Sequence, residues 1–252
     1  MEKNVILEVK NISKSFGGTK ANNDISLKFY KGEIVAIVGD NGAGKSTFIK
    51  IISGVYKKDS GEIYIYGELA NINQPSDSIK FGIETVYQDE GLIPIMDAAS
   101  NLFLGREKLQ NNILGKLFKF IDTKYMKEKT IETLKKIGVE VKDIDSETID
   151  LSGGQRQSIV VGRAVYWGGN ILIFDEPTNN LGVTQERMII NLIKKIRTEY
   201  DVSIIIITHN IAHVFELVDR IIVLRNGKVV GDKIREETNP NVIVSLITGI
   251  KV

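Results

Sequence analysis

Ile34-Val35-Ala36-Ile37-Val38-Gly39-Asp40-Asn41-Gly42-Ala43-Gly44-Lys45-Ser46-Thr47 is the stretch on which the reading of the fold turns. Five apolar residues in succession, closed by a glycine, predict a strand buried on both faces, and Ser46 to about Ser53 predicts a helix. Between them, residues 39–46 fit the phosphate-loop pattern G-x-x-x-x-G-K-[ST], which carries weight only when a strand precedes it and a helix follows. Both flanks are present. Glycines let backbone N–H groups converge on phosphate oxygens without obstruction by Cβ, and the helix that follows adds its positive end. Lys45 supplies a mobile charge for the β- and γ-phosphates, and the Ser46 hydroxyl is a ligand type suited to Mg²⁺. Gly39, Asn41, Gly42, Ala43, Gly44, Lys45, Ser46 and Thr47 are therefore the nucleotide-binding candidates of this segment.

Working outward, residues 1–90 otherwise read as short strands with glycine punctuation, Gly32 before Glu33–Val38 and Gly61 before Glu62–Tyr66. Residues 96–146 change character, with Tyr125, Ile131, Leu134 and Ile137 at helical spacing, and predict a helical insert. From Ser152 the pattern runs helix, apolar strand Ile171–Asp175, helix Thr184–Tyr200, apolar strand Ser203–Thr208 and helix Ala212–Leu217, an alternation that builds a parallel sheet. Asn226-Gly227 predicts a tight hairpin turn, and a last helix is expected over about Pro240–Ile247. Ile171-Leu172-Ile173-Phe174-Asp175-Glu176 sets two carboxylates at the carboxyl end of a buried strand, where open α/β sheets bind ligands. Asp175 is the candidate Mg²⁺ ligand and Glu176 the candidate general base toward water. A helix-capping acidic pair is the structural alternative.

Composition narrows the partners. The 252 residues carry 33 Lys+Arg against 32 Asp+Glu, a net charge of +1, so no global field gathers nucleic acid or acidic lipid. The chain has no cysteine, which excludes disulfides and thiolate metal sites. No apolar run approaches the roughly 18 residues of a membrane span, and the N-terminus lacks the pattern of a secretory signal, so a cytosolic location is expected. His209 and His213 are four apart, but Asn210 stands where H-E-x-x-H needs glutamate, which argues against a zinc pair.

Leu151-Ser152-Gly153-Gly154-Gln155 is the most specific signal, since average composition would give this pentapeptide in about one chain in several thousand. Here the chain resembles the ABC ATPases, whose signature is LSGGQ, and the signature lies between the phosphate loop and Asp175-Glu176 as that family requires. The resemblance implies an α/β P-loop NTPase with a RecA-like core and parallel sheet, an antiparallel β subdomain and a helical insert. It implies one nucleotide-binding domain over residues 5–240, with a helical subdomain at about 92–160 inserted in the core. It also implies ATP and Mg²⁺ as cofactors, Phe16 as the aromatic against adenine, and Gln88 as a contact to Mg²⁺ and the attacking water. His209 matches the histidine that contacts the γ-phosphate. Ser152, Gly153, Gly154 and Gln155 would complete the ATP site of a second subunit, in a head-to-tail homodimer formed with ATP bound.

The segments Thr85-Val86-Tyr87-Gln88-Asp89-Glu90-Gly91-Leu92-Ile93-Pro94 and Asn101-Leu102-Phe103-Leu104-Gly105-Arg106-Glu107 look like those of bacterial ribose, xylose and fructose importers. That likeness implies transmembrane permease subunits, indirectly a solute-binding protein, no nucleic acid, and a peripheral place on the cytoplasmic face of the membrane. One departure is visible. Where the family carries Leu-Asp after Pro177-Thr178, this chain reads Asn179-Asn180-Leu181-Gly182, which bears on communication between sites. The rival readings are an ABC exporter subunit, a DNA-repair ATPase and a translation ATPase; the second needs a long coiled coil and the third two ATPase domains with a charged linker, and the sequence has neither.

Overall fold

The apolar stretch becomes β3 (Ile34–Val38), buried at every position, in parallel register with β8 (Ser203–Ile207) on one side and β9 (Arg220–Arg225) on the other. The structure, a computed structural model, describes residues 4–87, 91–111, 118–139 and 143–250. With β6 (Ile83–Val86), β7 (Ile171–Asp175) and β10 (Lys228–Ile234) these strands form a six-stranded sheet in the order β10-β9-β3-β8-β7-β6. All pairings are parallel except β9 with β10, which are joined through Asn226 and Gly227 at φ 50° and 73°, the left-handed pair that a tight hairpin turn requires. Strands buried on both faces need apolar side chains on both, which is why β3 is wholly apolar and β7 and β8 are apolar but for Asp175 and Ser203 at their ends.

A second, antiparallel sheet has the order β2-β1-β4-β5, built from β1 (Val5–Phe16), β2 (Thr19–Tyr30), β4 (Ser60–Ile65) and β5 (Glu68–Leu69). One core binds the two sheets: Ile6, Ile12, Ile25 and Phe29 of the antiparallel sheet cluster with Ile37, Phe48, Ile173 and Ile222. β1 continues well past Val9 because register shifts against β2 accommodate the polar residues from Lys10 onward. The described residues 4–87 also hold two helices, α1 (Lys45–Ile52) and α2 (Pro75–Lys80), where the sequence predicts one. Pro75 at the first turn is the start signal for the second, and Ser78 Oγ ties α2 to the Ser53 carbonyl at 3.0 Å.

By internal contacts the chain divides into two compact units. The first, Met1–Gln88, Gly169–Pro177 and Arg197–Val252, contains both sheets. The second, Asp89–Gly168 and Thr178–Ile196, contains α3 (Ala98–Leu102), α4 (Thr123–Lys136), α5 (Gly153–Tyr166) and most of α6 (Val183–Tyr200). Phe103, Ala99, Leu102 and Met126 form its small core with Tyr125, Tyr166 and Trp167 around them. Of the residues expected at helical spacing here, Leu134 and Ile137 are buried and Tyr125 packs against the small core, but Ile131 is 49% exposed, and Met126, Thr130 and Thr133 are buried beside them. Threonine can face inward there because Thr130 and Thr133 return their hydroxyls to the carbonyls of Met126 and Lys129, each at 2.8 Å. Two further helices, α7 (Ile211–Leu217) and α8 (Pro240–Thr248), belong to the first unit. Among the described residues no helix is long and apolar enough to cross a membrane.

Candidate active site

Three neighbouring parallel strands deliver the chemistry to one edge of the sheet. The phosphate loop leaves the carboxyl end of β3, Asp175 and Glu176 stand at the end of β7, and His209 lies just beyond β8, which runs between them. This is the edge at which parallel α/β sheets hold ligands.

The glycines of the loop are steric requirements at two positions. A Cβ on Gly39 would stand 2.2 Å from the Leu224 carbonyl oxygen, and one on Gly44 would stand 2.2 Å from that of Ala21. Gly44 is at φ 99°, and no side chain caps α1, so the first N–H groups of the helix keep their capacity for an anion. Asn41, Gly42 and Ser46 are exposed and Thr47 half-buried, whereas Ala43 packs inward. Lys45 is 8% exposed, and its ammonium donates to the Gly39 and Asp40 carbonyls at 2.8 and 3.0 Å. Burial pulls this ammonium below its usual value, and Glu176, Asp175 and Asp40 pull it back up. The ammonium is thus turned back onto carbonyls of its own loop.

Asp175 is 5% exposed, and its Oδ1 is buried with no hydrogen-bond partner. Burial, with Glu176 beside it, holds its carboxyl above the usual carboxylate range, against the opposing pull of Lys50 and Lys45. An orphaned, buried carboxylate oxygen at a strand end fits a divalent cation or the water on one, so the residues present suit Mg²⁺. Glu176 departs from ordinary backbone geometry at φ 54°. Its two carboxylate oxygens lie 3.1 and 3.0 Å from His209 Nδ1, and the His209 side chain is 67% exposed. The left-handed turn begins directly at the carboxylate after Asp175, while the Glu176 N–H stays in the sheet, donating to the Ile207 carbonyl at 2.9 Å.

Phe16, at the end of β1, is 46% exposed and meets Tyr56 edge to face at 5.3 Å, with Lys14 Nζ 5.5 Å from its ring. Gln88 lies outside the described residues. In the second unit, Ser152 caps α5: its Oγ accepts from the Gln155 N–H at 3.3 Å, and Gln155 Oε1 accepts from the Ser152 N–H at 3.0 Å. The S-x-x-Q spacing is a capping box, a signal present in the sequence that the signature reading passes over. Gly153 and Gly154 lie close to α6 and the residues before it: a Cβ on Gly154 would meet the side chains of Met188 at 3.1 Å and Gln185 at 3.2 Å, and one on Gly153 would meet that of Leu181 at 3.3 Å. Two further residues carried no motif. Asn22 donates to the Gly44 carbonyl at 3.0 Å, and buried Asn101 holds the segment before α3.

With this geometry established, comparison with known proteins is specific. Residues 22–179 match the family described as ABC transporter. The xylose/arabinose import ATP-binding protein of Sulfolobus acidocaldarius is 42% identical over 243 residues, 96% of this chain and 94% of that protein. The fructose import ATP-binding protein of Rhizobium meliloti is 40% identical over 90% of this chain and 88% of its own. The ribose import ATP-binding protein of Caldanaerobacter subterraneus subsp. tengcongensis is 36% identical over 97% of this chain, which spans about half (48%) of that protein. Among solved structures, the ADP conformation of an ATP-binding cassette of an ABC transporter superposes with TM-score 0.82 at 28% identity, covering 98% of this chain and 96% of that one. A dimeric cassette in a post-hydrolysis state with ADP and Pi matches with TM-score 0.75 at 27% identity, over 91% of this chain and 99% of that one. Phosphate loop, buried strand-end carboxylates and LSGGQ signature thus occur together in one cassette fold, and the chain belongs to the ABC transporter family of ATP-binding proteins.

Proposed function

We propose that this chain is the ATP-hydrolysing subunit of a monosaccharide importer. The observation that carries hydrolysis, as distinct from nucleotide binding, is the pair at the end of β7. Asp175 offers a buried carboxylate oxygen without a partner, and the next residue, Glu176, is a second carboxylate held at φ 54° within 3.1 Å of His209. Import of a sugar is supported by the likeness to import proteins of single-cassette length.

In this reading residues 5–240 act as one nucleotide-binding domain with a helical subdomain at about 92–160. Phe16 stacks on adenine, Gly39 to Thr47 wrap the phosphates, and Lys45 exchanges its two loop carbonyls for β- and γ-phosphate oxygens. Ser46 and Asp175, with Gln88, would hold Mg²⁺, which neutralises charge on the phosphates. Glu176 accepts a proton from water as the water oxygen attacks the γ-phosphorus and the bond to the β-phosphate oxygen breaks, leaving ADP and inorganic phosphate. His209 holds the Glu176 carboxylate and reaches the γ-phosphate. Ser152, Gly153, Gly154 and Gln155 contact the ATP of a second copy, so that two nucleotides join two chains. That requires Ser152 and Gln155 to keep their capping geometry while offering Oγ and the remaining amides outward. The homodimer would drive permease subunits, indirectly serve a solute-binding protein, and sit at the cytoplasmic face of the membrane.

Glu176→Gln separates the steps. It should bind ATP, turn over about 10²–10⁴-fold more slowly, and accumulate an ATP-bound dimer in light scattering. Hydrolysis undiminished in this variant, or a monomer at saturating ATP and Mg²⁺, would sink the reading.

A further inference from the structure

Asn22 lies on β2 with no exposed surface, and its Oδ1 is buried without a hydrogen-bond partner. A leucine would fill similar space without orphaning an acceptor, so burial alone gives no reason for an amide here. What the amide does is donate from Nδ2 to the carbonyl of Gly44, the last glycine of the phosphate loop, at 3.0 Å. The neighbouring carbonyl is held in the same manner: Ala43 accepts from the Gly227 N–H at 3.1 Å, and the Gly227 carbonyl accepts in turn from the Asn23 N–H at 2.8 Å. A Cβ on Gly44 would lie 2.2 Å from the Ala21 carbonyl and 2.7 Å from Asn22 Nδ2, so β2 presses directly on the back of the loop.

A planar trans peptide sets its N–H opposite its carbonyl. Holding the Ala43 carbonyl therefore aims the Gly44 N–H, and holding the Gly44 carbonyl aims the Lys45 N–H, two of the donors a phosphate would meet. The Gly44 carbonyl also accepts the first bond of α1, from the Phe48 N–H at 2.9 Å. That bond sits at the fraying end of the helix, next to a residue at φ 99°. Asn22 takes the second lone pair and removes the remaining rotation.

We propose that Asn22 is a positioning residue for nucleotide binding, retained for its hold on the Gly44–Lys45 peptide and not for the fold. This rests on residues 39–46 being the nucleotide loop. In Asn22→Leu the Kd for ADP, by titration of a fluorescent analogue, should rise roughly three- to tenfold, the worth of one hydrogen bond, and KM for ATP should rise with it. The urea midpoint should hold or increase. Unchanged affinity, or affinity lost only in step with stability, overturns the proposal. Lys45→Ala in the same titration keeps the two ideas apart. If it binds ADP like the natural protein, the loop reading itself fails; if it binds weakly while Asn22→Leu is unaltered, only the role of Asn22 fails. Should the leucine variant not fold, the natural protein provides the measurement. ADP should shift the Asn22 side-chain amide protons downfield in NMR spectra, because a phosphate on the Lys45 N–H polarises the peptide whose carbonyl that amide holds, and an absent shift overturns the proposal.

Discussion

Among the described residues of the site, Glu176 is the one whose backbone should be cheaper without its side chain. At φ 54° it occupies the left-handed region, which costs a residue bearing Cβ about 1–2 kcal/mol. Replacing it with alanine keeps that strain; replacing it with glycine removes it but adds about 0.4–1 kcal/mol of unfolded-chain entropy. Both variants lose the contact with His209 equally, so its worth cancels in the comparison. Glu176→Gly should then be about 0.5–1 kcal/mol more stable than Glu176→Ala, the reverse of the order found in ordinary helices and strands. For a chain of this size that is roughly 1–4 °C in melting temperature. Urea unfolding of the two nucleotide-free variants, followed by circular dichroism, measures it. Both should hydrolyse ATP about 10²–10⁴-fold more slowly than the natural protein. If alanine is as stable as glycine, the left-handed turn is not a cost that the carboxylate imposes, and the argument for stored strain at this position is wrong.

Gly182 precedes α6, accepts the first helical bond from the Glu186 N–H at 2.9 Å, and donates to Gln185 Oε1 at 3.3 Å, one half of a capping box. Nothing lies within 4 Å of a Cβ placed there, so Gly182→Asp should stabilise the chain by about 0.5–1 kcal/mol in urea; a loss would show that the backbone needs glycine. Asn101, fully buried, accepts from the Ile93 N–H at 2.7 Å and donates to the Ile93, Met96 and Asp97 carbonyls, each at 3.1 Å. Asn101→Leu strands these groups and should cost about 2–4 kcal/mol, and a cost below about 1 kcal/mol would mean that water or a neighbour replaces the amide. Hydrogen bonds from Lys129 and Lys136 hold the Glu132 carboxyl at about 2, against 4.5 when unpaired. The stability this gives is present above 4.5 and lost as the pH falls through about 2, so natural protein and Glu132→Gln should differ at neutral pH and converge in acid. A pH-independent difference in melting temperature would show that the carboxylate acts through packing.

The elements legible in the sequence are those with one dominant requirement. β3, β7 and β8 must be apolar on both faces, and Asn226-Gly227 supplies two left-handed residues where β9 turns into β10. What escaped reading depends on tertiary partners. Ile131 and Thr130 are neighbours on α4 with the apolar one outside, because a threonine that returns its hydroxyl to the preceding turn is acceptable in the core. Asn22 has no motif, and its function becomes visible only when β2 and the Gly44 carbonyl are seen 3.0 Å apart. Ser152-x-x-Gln155 could have been read as a cap from spacing alone, but a functional signature and a helix-start signal share the same letters.

That overlap is informative about how the site works. Lys45 is a buried cation turned back on loop carbonyls, Asp175 a buried carboxylate with an unsatisfied oxygen, and Glu176 a non-glycine residue in left-handed geometry. Each is unfavourable alone, and the three gather at the ends of β3 and β7 on one edge of the sheet. A structural role would have selected a neutral or apolar residue at the first two positions and glycine at the third. Under the proposed function, triphosphate and a divalent cation would answer the first two demands, the phosphates drawing the lysine off its carbonyls and the cation meeting the aspartate oxygen. Neither a phosphate nor a cation would by itself relieve the left-handed backbone at Glu176, so in that reading its strain belongs to the hydrolytic step and not to binding. Nucleotide with metal should therefore stabilise the Lys45 and Asp175 arrangement in the bound chain while leaving the glycine-over-alanine preference at position 176 intact.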